Sequence, residues 1–135
     1  MTISTSDALR AQQACYEKAK ELGIDGVICI MDDSARLVSK LRMDNATLSC
    51  LEIAERKAYT SVMNRKPSDF FAKFVQPDGL LVGLPALGGG RYTVIAGGLP
   101  VFRDGVFIGA IGFSGGPPAK DVEIASAGVA ALENN

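Results

Sequence analysis

Histidine is absent from this chain of 135 residues, and that absence narrows its chemistry more than any other. Without an imidazole the chain cannot build a Ser-His-Asp or Cys-His nucleophile system. It also lacks the most common protein ligand of zinc and of haem iron. Tryptophan is missing too, and aromatic residues make up only 7%. The three cysteines, Cys15, Cys29 and Cys50, are widely spaced and form no CxxC pair. That excludes a zinc signature and leaves them as small buried hydrophobes, so no metal site is expected. There is no block of Lys and Arg, and the net charge is −1. Nucleic acid, whose phosphates need a basic stripe, is not an expected partner. No apolar run approaches the ~20 residues of a membrane helix. The opening MTISTSDALR has neither the basic start nor the apolar core of a secretory signal. Those features predict a cytoplasmic protein.

What is present is ordinary for a globular chain: 47% hydrophobic and 21% charged residues, a length that suits one domain over 1–135. Ser4 or Ser6 can cap a first helix, with Asp7 in its first turn and Gly23 as its stop. Val27 to Met31 is an uninterrupted apolar run of strand length, which predicts a buried central strand. A second strand is expected over Arg36 to Met43, with Leu37, Leu41 and Met43 on one face and Val38, Lys40 and Arg42 on the other. Ser49 and Glu52 have capping-box spacing and open a second helix through Arg65, before Pro67. Ser68 can cap a short helix over Asp69 to Phe74. Leu80 to Leu87, broken by Gly83 and Pro85, reads as a packed loop. Strands are expected over Tyr92 to Ala96, Leu99 to Phe102 and Val106 to Ser114, with Asp104-Gly105 as a hairpin turn. A last helix follows Pro117-Pro118, with Val122, Ala125, Val129 and Leu132 on its inner face. Hairpins followed by helices predict an α+β fold around an antiparallel sheet.

Most of the 15 glycines fall between Gly88 and Gly116, at the ends or kinks of apolar runs. A glycine inside a strand lets a backbone or a ligand approach closely. This hairpin is therefore expected to form the floor of a pocket or to pack tightly on a partner. Gly88-Gly89-Gly90 has no phosphate-loop context, since a strand follows it rather than a helix.

Lys57 falls within the apolar stripe of the second helix, where a lysine must snorkel, pair with an acid or point into a polar cavity. Tyr59 is the polar aromatic best placed for a pocket, and its hydroxyl needs a partner when buried. Arg42, at a strand end, suits a carboxylate held by two parallel hydrogen bonds or a surface ion pair. Arg91 follows three glycines and can reach over a loop. Arg65 and Lys66 suit a helix C-terminus. Glu52 and Glu55, three apart, suit surface pairing, and Asp32-Asp33 reads as a solvated turn.

Five segments together carry a resemblance: LRMDNA at 41–46, ERKAYTSVMNRKPS at 55–68, GGRYTVIAGGLPVFRDG at 89–105, VFIGAIGFSGG at 106–116 and KDVEIASAGVAAL at 120–132. In order and spacing the chain resembles the GlcG/HbpS-like family, which includes the C-terminal domain of PduO-type proteins and the OrfY-like proteins of diol and glycerol utilisation clusters. The resemblance implies a profilin- or PAS-like sheet with flanking helices. It also implies a homo-oligomer, from dimer to octamer, and a small-molecule ligand. On this reading Lys57, Tyr59 and Thr60 border the site and Gly97 and Gly98 lie close by. Haem or a corrinoid is the cofactor the family suggests. With no histidine, haem iron would need oxygen or sulfur ligands such as Tyr59, Thr60, Met63 or Cys50.

Three functions compete. One is an accessory protein that binds haem, a corrinoid or another small carboxylated molecule in a diol-, glycerol- or glycolate-type catabolic setting. Another is a small-molecule enzyme using Lys57 and Tyr59 as acid-base groups. The last is a structural or regulatory subunit whose Gly109 and Gly112 serve subunit contacts.

Overall fold

The computed structural model describes residues 1–133. Four strands form one antiparallel sheet in the order β2-β1-β4-β3: β1 (Val27–Asp32), β2 (Leu37–Arg42), β3 (Gly98–Arg103) and β4 (Val106–Ser114). Helices α1 (Thr5–Leu22) and α4 (Pro118–Glu133) cover one face, and α2 (Ser49–Asn64) covers the other. The fold is α+β. Between α2 and β3 the chain makes only short turns of helix, Ala72–Phe74, Leu84–Ala86 and α3 (Leu87–Gly90), in which Gly88 and Gly89 are left-handed. No helix among the described residues is long and apolar enough to cross a membrane.

β1 is the central strand its composition predicts, with Val27 to Met31 all buried. Ile28 and Ile30 face α1 and α4, together with Ile108, Ile111 and Phe113. Val27, Cys29 and Met31 face α2. Burial pushes the Cys15 and Cys29 thiols up to about 12, so both stay protonated and inert. The hairpin turn is as expected: Asp104 and Gly105 both have positive φ, 52° and 78°, the pairing whose twist matches the flanking strands.

Capping departs from expectation at one helix and not at another. Ser4 has the extended backbone an N-cap needs, and its hydroxyl and the Asp7 carboxylate bond reciprocally to close the box on α1. Ser49 does not cap α2. The chain is already helical at Leu48, so the Ser49 hydroxyl is past the cap position. Glu52 instead pairs with Arg56 at 3.3 Å. Asp7 also receives Arg103 from the hairpin, 3.0 Å away. Burial works against its charge, but the bonds from Arg103 and Ser4 outweigh that and hold the carboxyl well below the usual carboxylate range.

Three expected features move. The pairing of β1 with β2 shifts register after Ile30, so that Ser39 pairs Ile30 and Leu37 pairs Met31. The bulge at Val38 reverses the face of every residue before it. Leu37 therefore lies on the α2 side, away from Leu41. Tyr92 to Ala96 is not a strand, because Gly97 at φ 131° turns the chain out of the sheet. The segment bonds to α2 and the following loop through Thr93 N–H to Thr60 Oγ1 (2.8 Å) and Ser68 Oγ to Ile95 O (2.7 Å). Ser68 is thus a clasp between loop and β3 rather than a helix cap, and only Ala72–Phe74 is helical there. The loop at 80–87 is not packed: Leu80 is 90% exposed, and Val82 and Leu87 are more than half exposed.

The strand glycines pack against the chain itself. A Cβ at Gly112 would lie 2.3 Å from Ala54 O of α2, and one at Gly98 2.3 Å from Lys57 O. A Cβ at Gly109 would lie 2.3 Å from Met31 O. Gly109 and Gly112 therefore serve the close seating of helix and strands, and neither is free for a subunit contact.

Candidate functional site

Close seating of α2 on the sheet divides its polar residues into two groups. Lys57 points inward. It is 1% exposed, and its Nζ donates to Asp121 Oδ2 and to Phe113 O, both at 2.9 Å. Asp121, in the first turn of α4, accepts Gly116 N–H with its other oxygen at 2.9 Å, so its charge also suits the helix N-terminus. Gly97 and Gly98 close over this pair, leaving no room for a Cβ beside the lysine. Lys57, Gly97 and Gly98 thus form a buried clamp joining α2, β3, β4 and α4. Of the three fates open to Lys57, pairing with an acid is the one realised. Asp121 escaped the sequence reading. The signal was Lys57 itself, since a lysine in an apolar stripe demands a buried acid somewhere.

Two residues further on, Tyr59 reaches the sheet edge. It lines a cavity of about 250 Å³ with Met31, Ala35 and Leu37 as an apolar floor. Glu52, Glu55, Arg56 and Arg91 form the polar rim. The Arg91 guanidinium lies over the Tyr59 ring, 4.2 Å from its centre, and its Nε donates to Gly88 O at 2.9 Å. The cation–ring contact and that bond hold the guanidinium in place and leave its terminal amino groups for another acceptor. Gly88 makes room for Tyr59: a Cβ there would sit 2.8 Å from the hydroxyl. Tyr92 meets the Tyr59 ring edge-on at 5.4 Å, and burial and the neighbouring Tyr59 raise the affinity of its own hydroxyl for its proton.

Thr60 is buried and does not face the cavity. Its hydroxyl holds Thr93 and so positions the segment that carries Arg91. Glu55 pairs with Lys40 at 2.9 Å, the surface pairing its position predicted. Asp32 spends its carboxylate on the turn, accepting Ser34 N–H and Arg36 N–H at 2.8 and 3.0 Å. Arg42 lies elsewhere, in a separate cleft between β2 and α1. Of the seven residues singled out from sequence, the structure joins Tyr59 and Arg91 at one cavity with Thr60 behind them. It joins Lys57, Gly97 and Gly98 in the clamp and sets Arg42 apart.

An antiparallel sheet with helices on both faces and a half-polar cavity beside Tyr59 defines a small α+β domain. Residues 3–130 match the family described as Haem degrading protein HbpS-like, and the chain belongs to that family. It is 32% identical over 132 residues to the corrinoid adenosyltransferase PduO of Salmonella typhimurium, a match covering 98% of this chain and 39% of PduO. The chain thus spans about two fifths of that relative's length. Among solved structures it is similar to Klebsiella pneumoniae ORFY, with TM-score 0.94 and 29% identity over 97% of this chain and 90% of the other. It is similar also to PduOC in complex with heme, with TM-score 0.92 and 32% identity over 98% and 96%.

Proposed function

We propose that this protein is a non-catalytic accessory protein that binds a small carboxylated molecule with an apolar body in the Tyr59–Arg91 cavity. The observation that carries this reading is the Arg91 guanidinium, held over the Tyr59 ring at 4.2 Å and by its Nε bond to Gly88 O beside an apolar floor. Its terminal amino groups suit a carboxylate, while Met31 and Leu37 take the body. Family membership agrees, since a relative's structure holds heme. A catabolic setting, of the diol, glycerol or glycolate type, is part of the same proposal.

Haem as a resident group does not fit these residues. The chain has no histidine to serve as an axial ligand of haem iron. Tyr59 lies under Arg91, Thr60 is committed to Thr93, Cys50 is buried beside Thr47, and Met63 is exposed on α2. A cavity of about 250 Å³ is also below the ~300–1,000 Å³ of drug-sized ligand sites, and a corrinoid is larger still. An enzyme built on Lys57 finds no support either, because its ammonium is locked in the clamp.

A homo-oligomer belongs to this reading. Phe70, Leu80, Val82, Leu87 and Ile95 are all at least 45% exposed, apolar side chains that a second copy would cover. Light-scattering mass should give a dimer or a larger symmetric assembly, up to an octamer, and Leu80→Asp with Val82→Asp should reduce it.

The site is tested by titrating 3-phenylpropionate, haemin and cobalamin in turn. Saturable binding of phenylpropionate, weakened about tenfold by Arg91→Ala, is the expected result. No binding of phenylpropionate would sink the carboxylate reading. A Soret shift at one equivalent of haemin, lost in Tyr59→Phe, would replace it with a tetrapyrrole.

A further inference from the structure

The geometry points to a second, independent binding site, for a small hydroxylated carboxylate, in the cleft between α1 and the end of β2, with Arg42 and Lys20 as its anion anchors. This cleft is about 410 Å³, larger than the Tyr59–Arg91 cavity and within the usual range for small-molecule sites. Gln12, Tyr16 and Lys20 form one wall. They are spaced four apart on α1 and so share one helix face. Arg42 and the turn at Asp44 and Asn45 form the opposite wall, with buried Met43 as the floor.

The far wall is held in place. Met43 N–H donates to Gly26 O at 2.9 Å, and Gly26 N–H returns a bond to Met43 Sδ at 3.4 Å. Ala46 N–H closes the turn on Met43 O at 3.1 Å, and Asn45 N–H donates to Asp25 Oδ2 at 3.3 Å. A frame tied at four points does not have to be ordered by its ligand, which keeps the cost of binding low.

The charges decide the ligand class. Among the described residues neither Lys20 nor Arg42 lies within ion-pair distance of a carboxylate, whereas neighbouring Lys18 pairs with Glu21 and Lys40 with Glu55. Lys20 and Arg42 line the cleft without a direct ion-pair partner, and the Arg42 guanidinium suits one carboxylate held by two parallel bonds. Asp25 and Asp44 line the same cleft. As acceptors they suit hydroxyl donors on the ligand and repel a second negative charge. The site therefore favours a monocarboxylate bearing several hydroxyls over a dicarboxylate, a phosphate or a plain fatty acid. The half-buried Tyr16 ring offers a flat wall for the carbon chain.

Gluconate is the probe, with sorbitol and acetate as its uncharged and unhydroxylated counterparts, each titrated into the protein by saturation-transfer NMR. Gluconate should saturate, and sorbitol and acetate should each bind at least about tenfold more weakly. Arg42→Gln should weaken gluconate about tenfold or more, Lys20→Gln less, and Arg91→Ala not at all. Arg42 and Lys20 are both exposed, so these variants keep the fold, which circular dichroism verifies. Absence of saturable gluconate binding, equal binding of sorbitol, or indifference to Arg42→Gln would overturn the proposal. Loss in Arg91→Ala instead would overturn it too, placing the ligand in the other cavity. Because the two sites answer to different variants, failure of this one leaves the Tyr59–Arg91 reading untouched.

Discussion

The two faces of the sheet are packed by different means. Toward α1 and α4 it presents Ile28, Ile30, Ile108, Ile111 and Phe113, and these large side chains hold the helices at side-chain distance. Toward α2 it presents Val27, Cys29, Met31, Phe107 and Ala110, and at Gly98 and Gly112 helix backbone meets strand backbone. The difference locates the chemistry. Only a helix seated this low lets Lys57 reach a carbonyl of β4 and an acid of α4 together. The same seating brings Tyr59 out at the sheet edge beside the loop that carries Arg91.

The largest effect is expected at the clamp. Lys57→Met should cost about 3–5 kcal/mol in urea denaturation, because it strands the buried Asp121 carboxylate. Adding Asp121→Asn should recover part of that loss, since the amide oxygen still serves Gly116 N–H. A double variant no better than the single one would show that the pair is not what joins α2 to α4. Next comes the contrast in packing. Gly112→Ala adds one methyl against the α2 backbone and should cost about 2–3 kcal/mol. Ile111→Val removes one methyl on the other face and should cost about 1 kcal/mol. Equal costs would refute the unequal seating of the helices.

Asp7 sharpens the α1 side. Its folded-state carboxyl is held below the ordinary carboxylate value. The stability it adds is complete above about pH 4 and is lost as pH falls through the folded value. Asp7→Asn should cost about 2 kcal/mol at neutral pH and flatten the acid limb of the stability profile. An unchanged acid limb would remove Asp7 from the account. The smallest effect on stability is expected at Arg91, where Arg91→Ala should change unfolding by less than about 0.5 kcal/mol while weakening phenylpropionate. A large stability loss there would mean that Arg91 serves the fold and not a ligand.

Much of this was open to reading along the chain. The Val27 to Met31 run and the Asp104-Gly105 turn are local signals, each with a short-range physical cause, and each appears where expected; of the two serines that could cap α1, Ser4 is the one that does. Leu37 was misplaced because a one-residue bulge at Val38 reverses side-chain alternation without leaving a mark in composition. Tyr92 to Ala96 has strand-forming residues, yet its hydrogen bonds go to Thr60 and Ser68. Of the site, Tyr59 and Arg91 were both nameable. Their stacking, and the separation of Arg42 into another cleft, were not, because they depend on how far each element lies from the others in space.

The sequence alone determined the class of fold, the family and the exclusion of histidine chemistry, since composition, periodicity and ordered motifs are properties of the chain itself. Tertiary structure decided what each polar residue does. Asp121 lies 64 residues from Lys57, and no local pattern pairs a lysine with one acid rather than another. That choice follows from the depth at which α2 settles on the sheet, which is set by the summed sizes of side chains drawn from several elements at once.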